Sequence, residues 1–325
     1  MIARTHGFCH MARQNLTDMT ENMILSSAYD GLGVSVLVVR PENGAKAVLQ
    51  LAHGIKGFKE RYVPLMEYMA SHGIACVAND HRGHGASVRE EKDRGYMYAG
   101  KDEALVADMK MVTDWAHSAF PGLPVYLLGH SMGSLAARTY LKKYESLIAG
   151  LIVCGSPGWN PTIPIWQALI GLLASINNGR MRATLLQHFT SFIFNWRFLK
   201  EGPEAWTCSD PVSRKELTDN PLCNYMLTVN AAQALLNLMD TTYSAEGWSV
   251  ENPELPIYFI SGEDDPCMRG EAGFHAAAQM MADMGYSEVS SALYKGMRHE
   301  ILHEIEKKVV WEDVLNHLEA WQNQK

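Results

Sequence analysis

The sequence lacks a long hydrophobic run. None of its stretches reaches ~18 uninterrupted apolar residues, the length that indicates a membrane-spanning helix. Residues 1–22 are polar and lack the apolar core of roughly 7–15 residues that marks a secretory signal peptide. We therefore expect a polar lead-in over residues 1–22, no stable membrane span and a cytoplasmic location.

Positive charge is also scarce. The chain has 28 Lys and Arg residues against 36 Asp and Glu residues, which gives a formal net charge of -8. Proteins that attract nucleic acid through its phosphates need a broad basic surface. Nucleic acid is therefore not an expected partner.

The cysteines lack the paired spacing of a disulfide framework or a structural zinc site. There are six, none in a CxxC pair: Cys9, Cys76, Cys154, Cys208, Cys223 and Cys267. Scattered cysteines are typical of free thiols in a reducing compartment. We expect Cys267 in particular to be a small buried filler near the candidate site described below.

An alternation of strand-like and helix-like segments is what the sequence does contain. Short apolar runs with few polar breaks, typical of strands buried on both faces, occupy residues 74–79, 125–129, 148–154, 257–261 and 289–294. Helical stretches occupy residues 60–71, 101–119, 133–144, 270–284 and 307–322. This alternation predicts an α/β fold with a parallel sheet covered by helices.

Two intervals depart from the alternation. Residues 23–52 hold three β-rich runs with turn signals between them, which predicts an antiparallel meander. Residues 157–248 hold no strand-like run, which predicts a helical insertion above the sheet edge where α/β proteins bind ligands. The predicted core is thus residues 23–156 and 249–325. The apolar runs 163–176 and 189–196 of the insertion either pack against the core or line an acyl pocket.

The strongest chemical signal is Gly129-His130-Ser131-Met132-Gly133, which lies between a predicted strand and a predicted helix. A serine at such a sharp turn presents its hydroxyl above the sheet, and the flanking Gly129 and Gly133 are needed because a Cβ would collide there. A random chain of this length contains roughly 0.1 such pentapeptides. We interpret Ser131 as a nucleophile.

A serine nucleophile needs a histidine to accept its proton and a carboxylate to orient that histidine. Both candidates follow Ser131 in the expected order, each just after a predicted strand. Glu263, Asp264 and Asp265 follow the strand 257–261, and His299 follows the strand 289–294. The spacing predicts His299 as the base and leaves the choice of acid open.

Acyl transfer also needs two N–H donors for the negative charge on the carbonyl oxygen. Met132 directly follows the nucleophile, so its backbone N–H is one expected donor. The other is the Ile55 N–H, in a loop after an early strand where Gly54 permits close backbone approach.

The segment His299-Glu300-Ile301-Leu302-His303 also matches the HExxH pattern of zinc enzymes. That pattern needs a helix and a third ligand, yet Gly296 lies just upstream and Val309 stands where a third histidine would be. We therefore expect no metal site. His81 and His84 are expected to be loop residues because no Cys, Asp or Glu cluster accompanies them.

Five segments together resemble the monoacylglycerol lipase and lysophospholipase group of α/β-hydrolases. In chain order they are HGIKGF, NDHRGHGAS, GHSMGS, SGEDDP and KGMRHE. The resemblance implies an α/β-hydrolase fold with a helical lid over residues 157–248, and no cofactor. It places the acid three residues after Gly262, at Asp265. It also implies that a Ser-His-Asp triad cleaves mono-acyl lipids or similar small-molecule esters through an acyl-enzyme.

Two alternative functions remain open. An aminopeptidase or amidase could use the same triad, because fold and triad do not define the leaving group. It would need carboxylates around a substrate amine, drawn from Glu201, Glu204, Asp210 or Glu216. A non-catalytic binding protein on the same scaffold is the other alternative.

Overall fold

Strands β1 to β8 form one sheet in the computed structural model, which describes residues 20–323. They are β1 (Thr20–Ser26), β2 (Gly33–Val39), β3 (Ala47–Ala52), β4 (Ile74–Asn79), β5 (Val125–His130), β6 (Gly150–Cys154), β7 (Ile257–Gly262) and β8 (Val289–Tyr294). Their order across the sheet is β1-β2-β4-β3-β5-β6-β7-β8. Strand β2 is antiparallel to β1 and β4, and every other pair is parallel. The predicted mostly parallel sheet is confirmed.

Helices cover both faces of this sheet. Within the described residues they are α1 (Val63–Ser71), α2 (Lys101–Ala119), α3 (Met132–Tyr144), α4 (Ile163–Ala174), α5 (Thr184–Asn195), α6 (Pro211–Asp219), α7 (Val229–Tyr243), α8 (Gly270–Met284) and α9 (Lys307–Asn323). Helices α1 and α9 share one apolar cluster with the sheet, and α3 and α8 share another. In β5, Tyr126 and Leu128 belong to the first cluster and Leu127 to the second, so the strand is apolar on both faces.

The expected antiparallel meander is wrong for its third run. Strand β3 lies between β4 and β5 and is parallel to both. All six of its residues are buried, as in a central strand rather than in a surface hairpin. The turn signal before β3 marks a loop that carries the chain past the position of β4, and helix α1 then provides the crossover that parallel strands need.

Two boundary expectations also change. Strand β8 is not buried on both faces: it is the last strand of the sheet, and Ser290 and Ser291 are exposed. Strand β1 begins at Thr20 and pairs with β2 along its whole length, so residues 20–22 belong to the sheet rather than to the lead-in. The remainder of the predicted lead-in, residues 1–19, lies outside the described residues.

Residues 157–248 connect β6 to β7 and contain α4 to α7. Helix α7 packs on α3, where Thr242 and Thr139 hydroxyls lie 3.0 Å apart. Helix α4 packs on α7 through Ile170 and Val229. Much apolar surface of the insertion is nevertheless exposed: Leu185 is 87%, Ile165 71% and Leu172 69% exposed. None of the helices within residues 20–323 has both the length and the hydrophobicity needed to cross a bilayer.

Candidate active site

Ser131 lies at the turn between β5 and α3, in a strained backbone conformation. Its φ is 54° and its ψ is -118°, a region that L-residues rarely adopt and that costs about 1–3 kcal/mol. A Cβ at Gly129 would overlap the Gly133 carbonyl, and a Cβ at Gly133 would overlap the Ala52 carbonyl. Both motif glycines are therefore required by the close packing of this turn.

The structure brings Ser131, His299 and Asp265 into one hydrogen-bonded chain. The Ser131 hydroxyl lies 2.8 Å from His299 Nε2, and His299 Nδ1 lies 2.9 Å from Asp265 Oδ2. All three side chains are buried. Because an ionised carboxylate only accepts hydrogen bonds, Nδ1 carries the proton and Nε2 is free to accept one from the serine.

Of the three possible acids, Asp265 is the one that reaches His299. Its carboxylate also accepts hydrogen bonds from the Cys267 backbone N–H at 2.8 Å and from the Ser261 hydroxyl at 3.0 Å. Asp264 instead accepts a hydrogen bond from Arg197 at 2.8 Å and is partly exposed, while Glu263 is exposed. The turn after β7 thus turns the two neighbouring aspartates in different directions.

Two opposing effects act on the pKa of His299. Burial alone would lower it, but the negative charge of Asp265 and the hydrogen bond to that carboxylate outweigh burial and raise the pKa well above its usual value. Cys267 contributes in the same direction. An imidazole with a raised pKa is a stronger base once it has lost its proton.

The predicted donor loop lies directly beside the nucleophile. A Cβ on Gly54 would lie 3.0 Å from the Ser131 Cβ, so a side chain at this position would crowd the nucleophile. The Gly54 carbonyl accepts hydrogen bonds from the Gly57 N–H at 3.0 Å and from His53 Nδ1 at 2.7 Å, which hold the loop in shape. Across residues 20–323, neither the Ile55 N–H nor the Met132 N–H donates to another protein group. Both donors are therefore available to a ligand.

Hydrogen bonds from the segment 79–87 hold the loop that contains Gly54 and Ile55. The Asp80 carboxylate accepts hydrogen bonds from the Lys59 and Ala86 backbone N–H groups, each at 2.8 Å. The His81 N–H donates to His53 Nε2 at 2.9 Å. Burial lowers the pKa of His81 to about 3 and that of His84 to about 4, so both rings are neutral at physiological pH.

Sequence reasoning missed a second set of contacts around His299. His130 Nε2 donates to the His299 carbonyl at 3.2 Å, and His130 Nδ1 accepts from the Tyr62 hydroxyl at 3.1 Å. A buried ion pair joins Arg61 to Glu300, with Nη1 3.2 Å from Oε1. His130 lies within the serine motif, which was the available signal for its importance. No spacing in the sequence connects residues 61 and 62 with residues 299 and 300.

The HExxH pattern does not form a zinc site. Residues 301–303 form a short 3-10 turn rather than a helix that could align His299 with His303. The His303 ring packs on the Tyr62 ring, with centroids 5.2 Å apart. Among the described residues, the side chains that bring three potential metal donors together are Asp265, Cys267 and His299, without His303.

The acidic residues proposed for amine recognition are all engaged with other protein groups. Glu201 pairs with Arg298, Glu204 accepts from the Trp206 indole, Asp210 caps α6 at the Val212 N–H, and Glu216 lies near Arg61. A ring of free carboxylates around the site is therefore not formed by these four.

The insertion contributes an aromatic wall to the site. The Trp206 ring lies 5.2 Å from the His299 ring, and the Phe194 ring of α5 lies 5.0 Å from Trp206. The Thr207 carbonyl accepts a hydrogen bond from the Glu300 N–H at 2.7 Å. Residues 194–207 are thus attached to the loop that carries His299.

Solved structures share this fold over almost the whole chain. A thermostable carboxyl esterase from Bacillus coagulans superposes with a TM-score of 0.85 at 22% identity, over 93% of this chain and 99% of that one. A soluble variant of the monoglyceride lipase from Saccharomyces cerevisiae superposes with a TM-score of 0.70 at 18% identity. The superposition covers 94% of this chain and 96% of that one. At such low identity these likenesses show the fold.

Sequence comparison gives the family. A monoacylglycerol lipase from Mycolicibacterium smegmatis is 24% identical over 290 residues, which cover 87% of this chain and 92% of that protein. The family model described as "Serine aminopeptidase, S33" matches residues 43–306, well over half of the chain. The predicted α/β-hydrolase fold is confirmed. This chain belongs to the serine aminopeptidase S33 family of α/β-hydrolases.

Proposed function

We propose that this protein hydrolyses carboxylic esters with Ser131 as nucleophile, His299 as general base and Asp265 as the residue that orients His299. The observation that carries the proposal is the continuous hydrogen-bonded chain from Ser131 through His299 to Asp265. This is the arrangement that activates a serine hydroxyl, which is a weak nucleophile at neutral pH.

Each reaction step has a group in position. The Ser131 oxygen attacks the ester carbonyl while its proton passes to His299 Nε2. The Ile55 and Met132 N–H groups stabilise the negative oxygen of the tetrahedral intermediate. His299 then protonates the departing alcohol and leaves an acyl-enzyme on Ser131. A water molecule, deprotonated by His299, releases the carboxylic acid by the same route in reverse.

The substrates are mono-acyl lipids or similar small-molecule esters. Relatives named as monoacylglycerol lipase and monoglyceride lipase support this class. Exposed apolar side chains in the insertion also support it, since Ile165, Leu172 and Leu185 are not used to pack it against the core. We infer that residues 157–248 act as a lid and that part of their apolar surface contacts the acyl chain.

Amide hydrolysis is the second candidate, favoured by the description of the matching family model. An aminopeptidase needs a free carboxylate for the substrate amine, and the four candidate carboxylates of the insertion are already engaged by protein groups. We therefore favour the ester.

The deciding experiment compares kcat/KM for acyl nitrophenyl esters and monoacylglycerols with that for alanine and proline anilides. Ester activity well above anilide activity, with both lost in Ser131→Ala, is the expected result. Faster cleavage of anilides than of esters would reject ester hydrolysis while keeping the triad.

A further inference from the structure

The thiol of Cys267 lies beside the hydrogen bond between Asp265 and His299. Cys267 is buried on the turn that carries Asp265. One donor atom from each of the three residues lies within 4.8 Å of the other two. An oxygen, a nitrogen and a sulfur donor thus lie close together, and ester hydrolysis uses only the first two.

The local fold holds these donors in place before any ion arrives. Asp265 and Cys267 lie on one short turn, because the Cys267 N–H donates to the Asp265 carboxylate and Pro266 begins a 3-10 turn between them. His299 approaches from the loop after β8 and is fixed at 2.9 Å from Asp265. Little conformational entropy remains to be lost when a ligand binds here.

We propose that Asp265, Cys267 and His299 form a binding site for a thiophilic divalent cation such as Zn²⁺, and that the bound cation switches hydrolysis off. Zinc prefers this donor set, with four ligands at about 2.0–2.3 Å in a tetrahedron. Donors around such an ion lie roughly 3.3–3.7 Å apart, so small side-chain rotations adapt the present spacing. Three protein donors leave the fourth position to water.

The donor set also selects the type of metal. A thiolate favours zinc and softer ions, whereas Mg²⁺ and Ca²⁺ require mainly oxygen ligands. The site should therefore bind Zn²⁺ and Cd²⁺ and ignore Mg²⁺ and Ca²⁺ at the same concentration.

Metal binding would stop hydrolysis because it changes which nitrogen of His299 carries the proton. This step rests on the proposed function. Metal binding removes the Cys267 thiol proton to solvent. The ion takes the lone pair at His299 Nδ1, so the ring proton moves from Nδ1 to Nε2 and the imidazole stays neutral. Nε2 then donates to the Ser131 oxygen instead of accepting its proton. The serine cannot be activated, and Asp265 is held by the ion.

Binding is tested first, without reference to activity. Chelator-treated full-length protein is titrated with Cd²⁺ and followed by its thiolate-to-metal ultraviolet absorption, in parallel with Cys267→Ser and with Cys76→Ala. Cys76 is a matched control because it lies buried in β4 among apolar side chains, and its thiol donates to the Ile74 carbonyl. We expect the parent and Cys76→Ala to bind one equivalent, and Cys267→Ser to bind about 10–100-fold more weakly.

A second measurement uses the unaltered protein, so that poor folding of a variant cannot obscure the result. X-ray absorption of the zinc-loaded chain should show one sulfur neighbour at about 2.3 Å and nitrogen or oxygen neighbours at about 2.0–2.2 Å. Two or more sulfur neighbours, or none, would assign the zinc to a different site and overturn the proposal.

Inhibition is then measured as ester hydrolysis against Zn²⁺, with Mg²⁺ as the control ion. We expect Zn²⁺ to inhibit the parent and Cys76→Ala, and the inhibitory concentration to rise about 10–100-fold in Cys267→Ser. Equal Zn²⁺ inhibition of parent and Cys267→Ser would overturn the proposal. A parent that has no esterase activity, but gives the expected absorption, would reject the proposed function and keep the metal site.

Discussion

At the scale of single residues, Asp264 and Asp265 show how position rather than residue type assigns a role. They are adjacent and chemically identical, yet Asp265 is buried against His299 while Asp264 pairs with Arg197 at the surface. A carboxylate fixes the tautomer of an imidazole only when it accepts the Nδ1 proton.

Replacing each aspartate by asparagine should therefore give very different enzymes. Asp265→Asn should lower kcat by about 10⁴-fold because the imidazole then adopts the wrong tautomer. Asp264→Asn, the matched control, loses one exposed ion pair and should stay near parental activity. Steady-state ester kinetics measure both. A larger loss for Asp264→Asn would move the role of the acid to that residue.

The pH profile reports on His299. The imidazole must be neutral to accept the Ser131 proton, and Asp265 raises its pKa well above the usual value against the opposing effect of burial. Activity should therefore rise with pH at a midpoint above the value of about 6.5 of a free imidazole. The profile of kcat/KM against pH measures this midpoint directly. A midpoint at or below that of free imidazole would contradict the account.

At the scale of helices and strands, the sequence predicted where elements begin and end better than it predicted where strands lie in the sheet. Strand β4 and helices α2 and α8 begin and end where their apolar patterns predict. The position of β3 could not be predicted, because a six-residue run with the single polar residue Gln50 fits a meander strand and a central strand equally well. The exposure of β8 could not be predicted either. A strand lies at the edge of a sheet when it has no neighbour on one side, and the sequence pattern does not show which strands are neighbours.

The candidate site was also predictable only in part. That Ser131, His299 and an acid after β7 lie close together could be predicted, because each follows a strand and the carboxyl ends of parallel strands meet at one edge of the sheet. The choice of Asp265 among the acids came from the family resemblance. The contact between Tyr62 and His130 and the ion pair between Arg61 and Glu300 could not be predicted. They join segments far apart in the chain through side-chain packing, which leaves no periodic signal.

The insertion is the element whose role most needs a measurement. If its apolar surface contacts the acyl chain, each buried CH₂ adds about 0.8 kcal/mol of binding. Catalytic efficiency should then rise a few-fold per CH₂ from acetyl toward medium-chain esters until the pocket is full. A series of esters from C2 to C16, compared by kcat/KM, measures this. A maximum at acetyl followed by steady decline would remove the lipid substrate and leave the serine esterase intact.

At the scale of the whole molecule, buried histidines tie stability to pH. Burial lowers the pKa of His81 and His303 to about 3 and that of His84 and His130 to about 4. In the unfolded chain these groups titrate near 6.5. Between these values the unfolded state binds more protons, so the free energy of unfolding falls as the pH falls. Burial also lowers the pKa of His53, which acts in the same direction. The raised pKa of His299 gives no opposing slope below about pH 6.5, because this ring is then protonated in both states.

The expected outcome is a free energy of unfolding that falls as the pH is lowered from about 6.5 to 4.5, by up to about 1.4 kcal/mol per pH unit for each such histidine. Urea unfolding at a series of pH values measures the loss, and the slope counts the protons taken up. A free energy of unfolding that stays constant over this range would mean that the buried histidines are already charged in the folded protein.

The proposed role of Ser131 as the nucleophile of an ester hydrolase can be tested by covalent labelling together with ester turnover. The protein is treated with a fluorophosphonate, the labelled residue is identified by mass spectrometry, and ester turnover is compared in the parent, Ser131→Ala and Ser134→Ala. We expect a single label on Ser131, a kcat about 10⁶-fold lower in Ser131→Ala with unchanged thermal unfolding, and near-parental turnover in Ser134→Ala. An unlabelled Ser131 in folded protein, or a Ser131→Ala variant that keeps more than about a hundredth of parental turnover, would contradict the proposed role.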